Sequence, residues 1–244
     1  KVKVAGMVAQ KPATQVTTDQ AIVLSQKDES PWVSRGAYKL LGALEVFEPL
    51  GLSVESRIVL DAGASTGGFS QVLLERNVEH IYAVDVGYGQ LAWKLQQDPR
   101  LTQIDRTNVR SLQTEDLGSQ VNLVVSDLSF ISLVTVMEAL ATVCEPSGDM
   151  VLMIKPQFEV GKENLGKNGV VRDPELHCHA IEKVTSAAAQ LGWGTKALAP
   201  SPLPGPAGNI EYFCWLTTDA QGPSLESIRA VVAQRPQGTE GINQ

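Results

Sequence analysis

The stretch Ile58-Val59-Leu60-Asp61-Ala62-Gly63-Ala64-Ser65-Thr66-Gly67-Gly68-Phe69-Ser70 reads as a buried strand, an acidic residue and a glycine-rich turn. The turn opens into a helix that starts near Phe69 and runs toward Leu74. Glycine lacks a Cβ and tolerates positive φ, so backbone N–H groups in such a turn can approach a ligand closely. The helix amino end adds a dipole that favours an anionic group. A second acid, Asp85, closes the next apolar run, His80-Ile81-Tyr82-Ala83-Val84, about one βαβ unit later. A carboxylate at that place usually takes ribose hydroxyls. The turn departs from G-x-G-x-x-G, because Ser65 stands where the second glycine belongs. A pyrophosphate would fit it poorly, and a nucleoside without phosphates fits better; S-adenosylmethionine is the common one. The competing reading is an ordinary strand-to-helix turn with glycines kept for packing. Agreement between the turn and the two acids favours the nucleoside site.

Outward from this stretch, strands and helices alternate between residue 32 and about residue 217. The pattern predicts helices near 34–50, 69–75, 88–97, 130–143 and 174–191. It predicts strands near 57–61, 80–85, 101–105, 121–126, 149–154, 194–199 and 211–217. Strands that are apolar on both faces, such as Val121-Asn122-Leu123-Val124-Val125, imply a mainly parallel sheet covered by helices on each side. The last two strands, joined by residues 200–208, read as an antiparallel return. The fold class is therefore α/β: a Rossmann-like, seven-stranded, mainly parallel sheet with an antiparallel last strand. Residues 1 to about 27 hold short alternating runs around Lys11-Pro12-Ala13-Thr14, a β piece too small to bury its own core. Residues 28–34, beginning Asp28-Glu29-Ser30-Pro31, read as a linker. The main domain is expected over 35–218, and the polar tail over 219–244 to fray or form one weak helix.

Composition sets looser bounds. The 244 residues suffice for one large α/β domain with appendages, and 43% hydrophobic content is that of a soluble globular protein. No apolar run reaches the length needed to span a bilayer. The chain opens at Lys1 without methionine or a signal-peptide pattern, which reads as part of a longer polypeptide. Cys144, Cys178 and Cys214 are widely spaced; His177 and His179 flank one of them without a second ligand group nearby, so no metal site is expected. Free thiols suit a reducing cytosol, hence a cytoplasmic location. The net charge of −7 argues mildly against a nucleic-acid partner, although a local basic patch can serve on an acidic protein.

Ligands of parallel sheets bind outside the carboxyl ends of the strands. Asp127 and Lys155 stand at two such ends, Glu211 starts the final strand, and Lys39 lies on the first helix. Two lysines and two acids converging on a cleft would neutralise one another, which a buried reactive site requires. Methylation of a base amino group commonly uses Asn or Asp followed by two prolines and an aromatic residue after the fourth strand. Here that place reads Ser126-Asp127-Leu128-Ser129-Phe130. Carbon methylation of a pyrimidine needs a cysteine at a strand end, and none stands there. A ribose hydroxyl is barely acidic, and a lysine tuned by burial and neighbouring charge can hold or accept its proton.

The set Lys39, Asp127, Lys155 and Glu211 resembles the K-D-K-E tetrad of the FtsJ-like 2′-O-ribose methyltransferases. The surrounding wording is closer still to the TlyA family, which also carries the name hemolysin A. The stretches that match are Trp32-Val33-Ser34-Arg35-Gly36-Ala37-Tyr38-Lys39-Leu40, residues 61–69, Asp85-Val86-Gly87-Tyr88-Gly89-Gln90-Leu91, Asp127-Leu128-Ser129-Phe130-Ile131-Ser132-Leu133, Lys155-Pro156-Gln157-Phe158-Glu159-Val160-Gly161 and Ser201-Pro202-Leu203-Pro204-Gly205-Pro206. Together they span roughly residues 32–216. The resemblance implies a seven-stranded methyltransferase fold, S-adenosylmethionine as methyl donor and cytidine 2′-hydroxyls of ribosomal RNA, within ribosomal subunits, as the target. In that family an RNA-binding domain of the ribosomal protein S-four kind precedes the catalytic domain. Residues 1 to about 27 resemble only its closing β part.

By the same resemblance, Asp61, Gly63, Ser65 and Gly67 line the methionine end of the donor, Asp85 takes its ribose, and Asp105 and Arg106 lie near the adenine. Ala64, Gly68, Phe69 and Val86 belong to the same donor site. Lys155 contacts the attacking hydroxyl, Asp127 and Glu211 set its charge state, and Lys39 completes the network. Trp32, Arg35, Arg106, Arg110 and Lys162 are candidate RNA contacts, Trp32 also serving equally well as a plug between linker and domain. Two other functions stay open: a small-molecule methyltransferase on the same fold, and a membrane-active hemolysin. The second should show an amphipathic apolar face or a hydrophobic span, and the sequence has neither.

Overall fold

The computed structural model describes residues 2–5, 7–9, 15–17, 20–24 and 30–234. The chain divides into two compact units, Lys1–Trp32 and Val33–Gln244. In the first, strand β1 (Val2–Val4) pairs antiparallel with both β2 (Met7–Val8) and β3 (Ile22–Leu24). The turn expected at 11–14 and the break at Asp28-Glu29 lie outside the described residues.

The second unit runs α1 (Gly36–Phe47), β4 (Ile58–Ala62), α2 (Gly68–Glu75), β5 (His80–Val84), α3 (Trp93–Gln96) and β6 (Leu101–Ile104). It continues with α4 (Thr114–Leu117), β7 (Val121–Ser126), α5 (Leu133–Val143), β8 (Cys144–Ile154) and α6 (Pro156–Glu159). Helix α7 (Pro174–Gln190), β9 (Gly194–Pro200), β10 (Tyr212–Thr217) and α8 (Leu225–Ala233) complete it. The seven strands lie in the order β6-β5-β4-β7-β8-β10-β9. Strands β4 to β8 are mutually parallel, and β10 runs antiparallel to both neighbours, β8 and β9.

Strand β10 shows how the two-residue period of a strand builds two cores. Tyr212, Cys214 and Leu216 join the cluster formed with Met137, Leu140, Ile181 and Val184 of α5 and α7. Phe213 and Trp215 point the other way, their rings 6.1 Å from Phe69 and 5.9 Å from Phe47. All six residues of β10 are buried, as a central strand covered on both faces must be.

Element boundaries depart from the sequence pattern where local chemistry intervenes. The helix expected over 88–97 shrinks to Trp93–Gln96, because Gly89 adopts φ +64° and keeps residues 87–92 irregular. The helix expected from 130 begins at Leu133, where Ser132 Oγ accepts the Val134 N–H, and Phe130 before it has φ +64°. Strand β8 is longer than expected, starting at Cys144. Past 218 the compact unit continues: α8, capped by Ser224, buries Ile228 and Val231 and lies against α7 and β9. The expected 35–218 boundary therefore cuts off a packed helix.

At the amino ends of the central strands a buried polar cluster fixes strand order. Asp149 of β8 accepts from Arg57 Nη2 and from Trp215 Nε1, each at 2.7 Å. Arg57 also donates to the Asn122 carbonyl, and the Asn122 side chain accepts the Ile58 N–H at 2.9 Å. The Asp149 carboxylate thus ties the start of β4 to β8 and β10, and Asn122 ties it to β7. Asp149→Ala leaves a guanidinium and an indole N–H without their acceptor, and should lower unfolding free energy by roughly 3–5 kcal/mol. Urea denaturation checks this; a loss within experimental error of zero would mean water replaces the carboxylate.

Candidate active site

Strand order reverses between β4 and β7: from β4 the chain steps to β5 and β6 on one side, and only then to β7 on the other. Connections leaving these carboxyl ends diverge and leave a crevice, the place where α/β sheets bind ligands. Two cavities open there, of about 290 Å³ and about 470 Å³. Gly63, Ser65, Asp127 and Ser129 belong to the walls of both, so the cavities meet at the ends of β4 and β7.

The larger cavity has an apolar wall of Val86, Val109, Leu128, Ile131 and Val136, with Asp85, Gln90 and Asn108 as polar points. Asp85 is held by the backbone it borders: Ser65 N–H donates to Oδ2 at 2.8 Å and Gly87 N–H to Oδ1 at 2.7 Å. The carboxylate therefore locks the β4 turn to the β5 turn while keeping spare lone pairs for a ligand. Gly63 has φ +88°, and a Cβ there would meet the Asp127 carbonyl oxygen at 3.2 Å. A side chain at 63 would close the junction between the cavities.

Three of the four charged residues singled out by sequence, Lys39, Asp127 and Lys155, line the smaller cavity, and Glu211 lies behind its wall, paired with Lys39. Lys155 Nζ pairs with Asp127 Oδ1 at 2.6 Å and donates to Ser129 Oγ at 2.8 Å. Lys39 Nζ donates to Glu211 Oε2 at 2.5 Å and lies 3.8 Å from Met153 Sδ. The tetrad is thus two lysine–carboxylate pairs. Both lysines are nearly buried and Glu211 is 1% exposed. Glu211 holds Lys39 rather than Lys155, which corrects the expectation that both acids bear on Lys155. Gly205 matters here through what it lacks, since a Cβ would stand 2.6 Å from Glu211 Oε1.

Of the turn residues, Gly63, Ala64, Ser65, Gly68 and Phe69 line the smaller cavity. Gly67 does not; its φ of +92° starts α2, with Leu91 and Leu95 against it. Asp61 is fully buried in β4, with Ser70 Oγ donating to Oδ2 at 2.6 Å and Oδ1 left without a partner. Asp85 and Val86 line the larger cavity, but Asp105 and Arg106 do not. Asp105 Oδ2 instead accepts the Gly89 N–H at 2.8 Å, bracing the turn that carries Asp85 and Gln90. Arg106 is exposed, its guanidinium 4.2 Å above the Tyr88 ring. Arg106 has φ +55°, and Asn108 and Val109, just beyond it, line the larger cavity.

Among the candidate RNA contacts, Arg35 is exposed, immediately precedes α1 and lines the smaller cavity; Arg110 and Lys162 are exposed outside both walls. Trp32 is half-buried, its N–H donated to Ser30 Oγ at 3.2 Å. Sequence reasoning missed Ser129, Gln90, Asn108, Leu128, Ile131, Pro204 and Pro206 as wall residues. Most stand inside the matching stretches, but they carry no titrating chemistry and so drew no inference. Among the described residues there is no group of three or more His, Cys, Asp and Glu able to hold a metal, and no helix long and apolar enough to cross a membrane.

This sheet order, with a glycine turn and a carboxylate at the first two strand ends and a charged pocket across the crevice, is that of the α/β methyltransferases. Fibrillarin from Aeropyrum pernix, solved with natively bound S-adenosyl-L-methionine, has the same fold at 17% identity (TM-score 0.53, over 74% of this chain and 76% of that one). A model of the FtsJ-like methyltransferase family matches residues 32–218, and the chain belongs to that family. The 16S/23S rRNA (cytidine-2′-O)-methyltransferase TlyA of Mycobacterium tuberculosis is 52% identical over 218 residues, 89% of this chain and 80% of the relative. A solved Streptococcus thermophilus protein that carries a hemolysin name superposes with a TM-score of 0.80 at 40% identity, covering 94% of this chain and 82% of that one.

Burial pushes the Asp61 carboxyl up to about 7, against the Ser70 hydrogen bond, which pulls the other way. From about pH 4 to about pH 7 the native chain keeps a proton that the unfolded chain has shed, so stability falls as pH rises through that window. Asp61→Asn keeps an acceptor for Ser70 and removes the titration. Between pH 5 and pH 8 the parent should lose on the order of 3 kcal/mol relative to this variant. Parallel losses in urea titrations at the two pH values would show that Asp61 ionises normally.

Proposed function

We propose that this chain methylates ribosomal RNA at a ribose 2′-hydroxyl, most specifically of cytidine, with S-adenosylmethionine as donor. The observation that carries the reading is the pair of lysine–carboxylate contacts at the smaller cavity, one of which, Lys155–Asp127, reaches the junction with the larger cavity through Asp127. The residues present fit the donor. The apolar wall of the larger cavity suits adenine, and Asp85 suits ribose hydroxyls. Asp61 is fully buried two residues before the cavity wall begins, and its Oδ1 has no partner among the described residues. When bound, the donor supplies a methyl group on a sulfonium, open to attack by an oxygen.

The chain's own part is to hold the acceptor oxygen and its proton. Lys155 lines the smaller cavity, and its Nζ donates to Ser129 Oγ and pairs with Asp127 Oδ1. That nitrogen is the atom at which the 2′-hydroxyl proton is held. Asp127 beside it balances its charge, and the Lys39–Glu211 pair keeps the inner wall neutral. Neutrality across the four groups matters because an unpaired charge at such burial is strongly disfavoured. Reaction between an oxygen and a cationic methyl group disperses charge, so a preorganised, water-poor site favours it.

The mouth favours a polymer over a small molecule. Phe130 is 92% exposed on the wall of the larger cavity, and Arg35 stands free at the rim of the smaller one. An exposed aromatic ring and a guanidinium beside a pocket suit an unpaired base and its phosphate. Arg106, Arg110 and Lys162 extend that contact, and the N-terminal β unit serves as part of an RNA-binding domain. A ribosomal substrate implies a cytoplasmic location.

Two measurements test the reading. Asp85→Ala should weaken S-adenosylmethionine binding by roughly 1–3 kcal/mol in calorimetry, because ribose hydroxyls lose their acceptor. Unchanged affinity would remove Asp85 from the donor site. In single-turnover methylation of ribosomal subunits, Lys155→Ala should be slower by about a hundred-fold to ten-thousand-fold with donor binding nearly intact. Lys155→Arg should not restore the rate, since a guanidinium keeps its proton and reaches differently. Near-normal turnover by either variant would end the assignment of Lys155.

A further inference from the structure

The loop that follows β7 is the most heavily used segment of the crevice. Asp127 and Ser129 line both cavities, and Leu128, Phe130 and Ile131 line the larger one. The loop contains a non-glycine residue at positive φ, Phe130 at +64°, so its shape needs support from outside. That support comes from the turn bearing Lys155. Helix α6 follows Lys155 directly, and the Phe158 N–H closes back on the Lys155 carbonyl at 2.9 Å. From this turn Phe158 places its ring 5.4 Å from that of Phe130.

Glu159, the last residue of α6, makes the second grip. Its Oε1 accepts the Leu133 N–H at 2.7 Å and its Oε2 accepts the Ser132 hydroxyl at 2.5 Å. Those groups are the amino end of α5, where the loop returns to regular structure. A carboxylate there meets both the unsatisfied N–H groups and the favourable end of the helix dipole. Glu159 is 3% exposed, and it lines neither cavity. Lys183 Nζ holds it from behind, donating to its carbonyl at 2.7 Å and lying 4.0 Å from Oε2.

Lys155 and Glu159 thus stand on one turn, and Asp127 and Leu133 stand at the two ends of one loop. We propose that Glu159 is a positioning residue for methyl transfer: by clamping the amino end of α5 it sets the Asp127–Ser129 segment against Lys155. It touches neither donor nor acceptor. It acts through the spacing between Lys155 Nζ, Asp127 Oδ1 and Ser129 Oγ. The proposal rests on the reading of Lys155 given above.

The test uses the whole chain and ribosomal subunits, with Lys155→Ala as the control. Thermal midpoints, donor affinity by calorimetry and single-turnover rates at saturating donor are measured for Glu159→Ala, Glu159→Gln and Ser132→Ala. A shift of about an ångström in a reacting group is worth about a hundred-fold in rate, so Glu159→Ala should be slower by that order. Donor affinity should change far less than the rate. Glu159→Gln should recover most of the rate, because its amide oxygen accepts from Leu133 while the Ser132 hydroxyl turns to accept its N–H. Ser132→Ala removes one of the two bonds and should fall between them; it carries the test with Glu159→Gln if the alanine variant fails to fold.

A folded Glu159→Ala with turnover near that of the parent, beside an inactive Lys155→Ala, would overturn the proposal and leave the tetrad standing. So would a rate loss matched by an equal loss of donor affinity, which would make Glu159 a support of the donor cavity alone. Full activity in Lys155→Ala is a different failure, that of the underlying assignment.

Discussion

Everything in this molecule depends on the reversal of strand order between β4 and β7. Because the chain leaves β4 toward one edge of the sheet and leaves β7 toward the other, no connection covers the space above their carboxyl ends. The glycine turn after β4 forms one wall and the Asp127–Ile131 loop forms the other. Two cavities meeting along a shared line follow from that geometry. Gly63, Ser65, Asp127 and Ser129 form the boundary that the two cavities have in common.

Charge is the second constraint, and the fold satisfies it in pairs. Lys155 faces Asp127 across the crevice, while Lys39 reaches from α1 to Glu211 at the start of β10. A lysine buried without its carboxylate is strongly disfavoured, so each pair fixes the relative position of two elements that sequence separates widely. The pairs also divide the work. Glu211 is nearly fully buried behind the wall and holds Lys39, whereas Lys155 and Asp127 both line the smaller cavity. Gly205 and the prolines around it complete this wall by leaving room where a side chain would strike Glu211.

The two ends of the sheet are built for different purposes. At the amino ends, Asp149, Arg57, Asn122 and Trp215 form a closed network whose groups satisfy one another. At the carboxyl ends, Asp61 keeps an oxygen without a partner and Phe130 is exposed at a positive φ. Unsatisfied acceptors and strained backbone are tolerated where a ligand completes the arrangement, and are costly elsewhere.

Much of this was legible in the amino acids alone. Apolar runs of five or six residues, the glycine turn and Asp85 specify a parallel sheet and its ligand edge, because strand period and glycine conformation are local properties. The four charged residues of the tetrad were visible through their places at strand ends and on the first helix. Their pairing was not. Sequence carries no record of which lysine lies nearer which acid, and only the placement of α1 beside β10 gives Glu211 to Lys39. Asp105 looked like a donor contact by position, yet the turn at Gly87–Gln90 claims it, since a backbone N–H there needed an acceptor. The walls of the larger cavity, Asn108, Leu128 and Ile131 among them, have no chemistry of their own to announce them. They acquire a role only when the sheet brings three separate loops to one side of the same crevice. Local residue chemistry determined the elements and their functional edge; long-range packing decided which groups meet there.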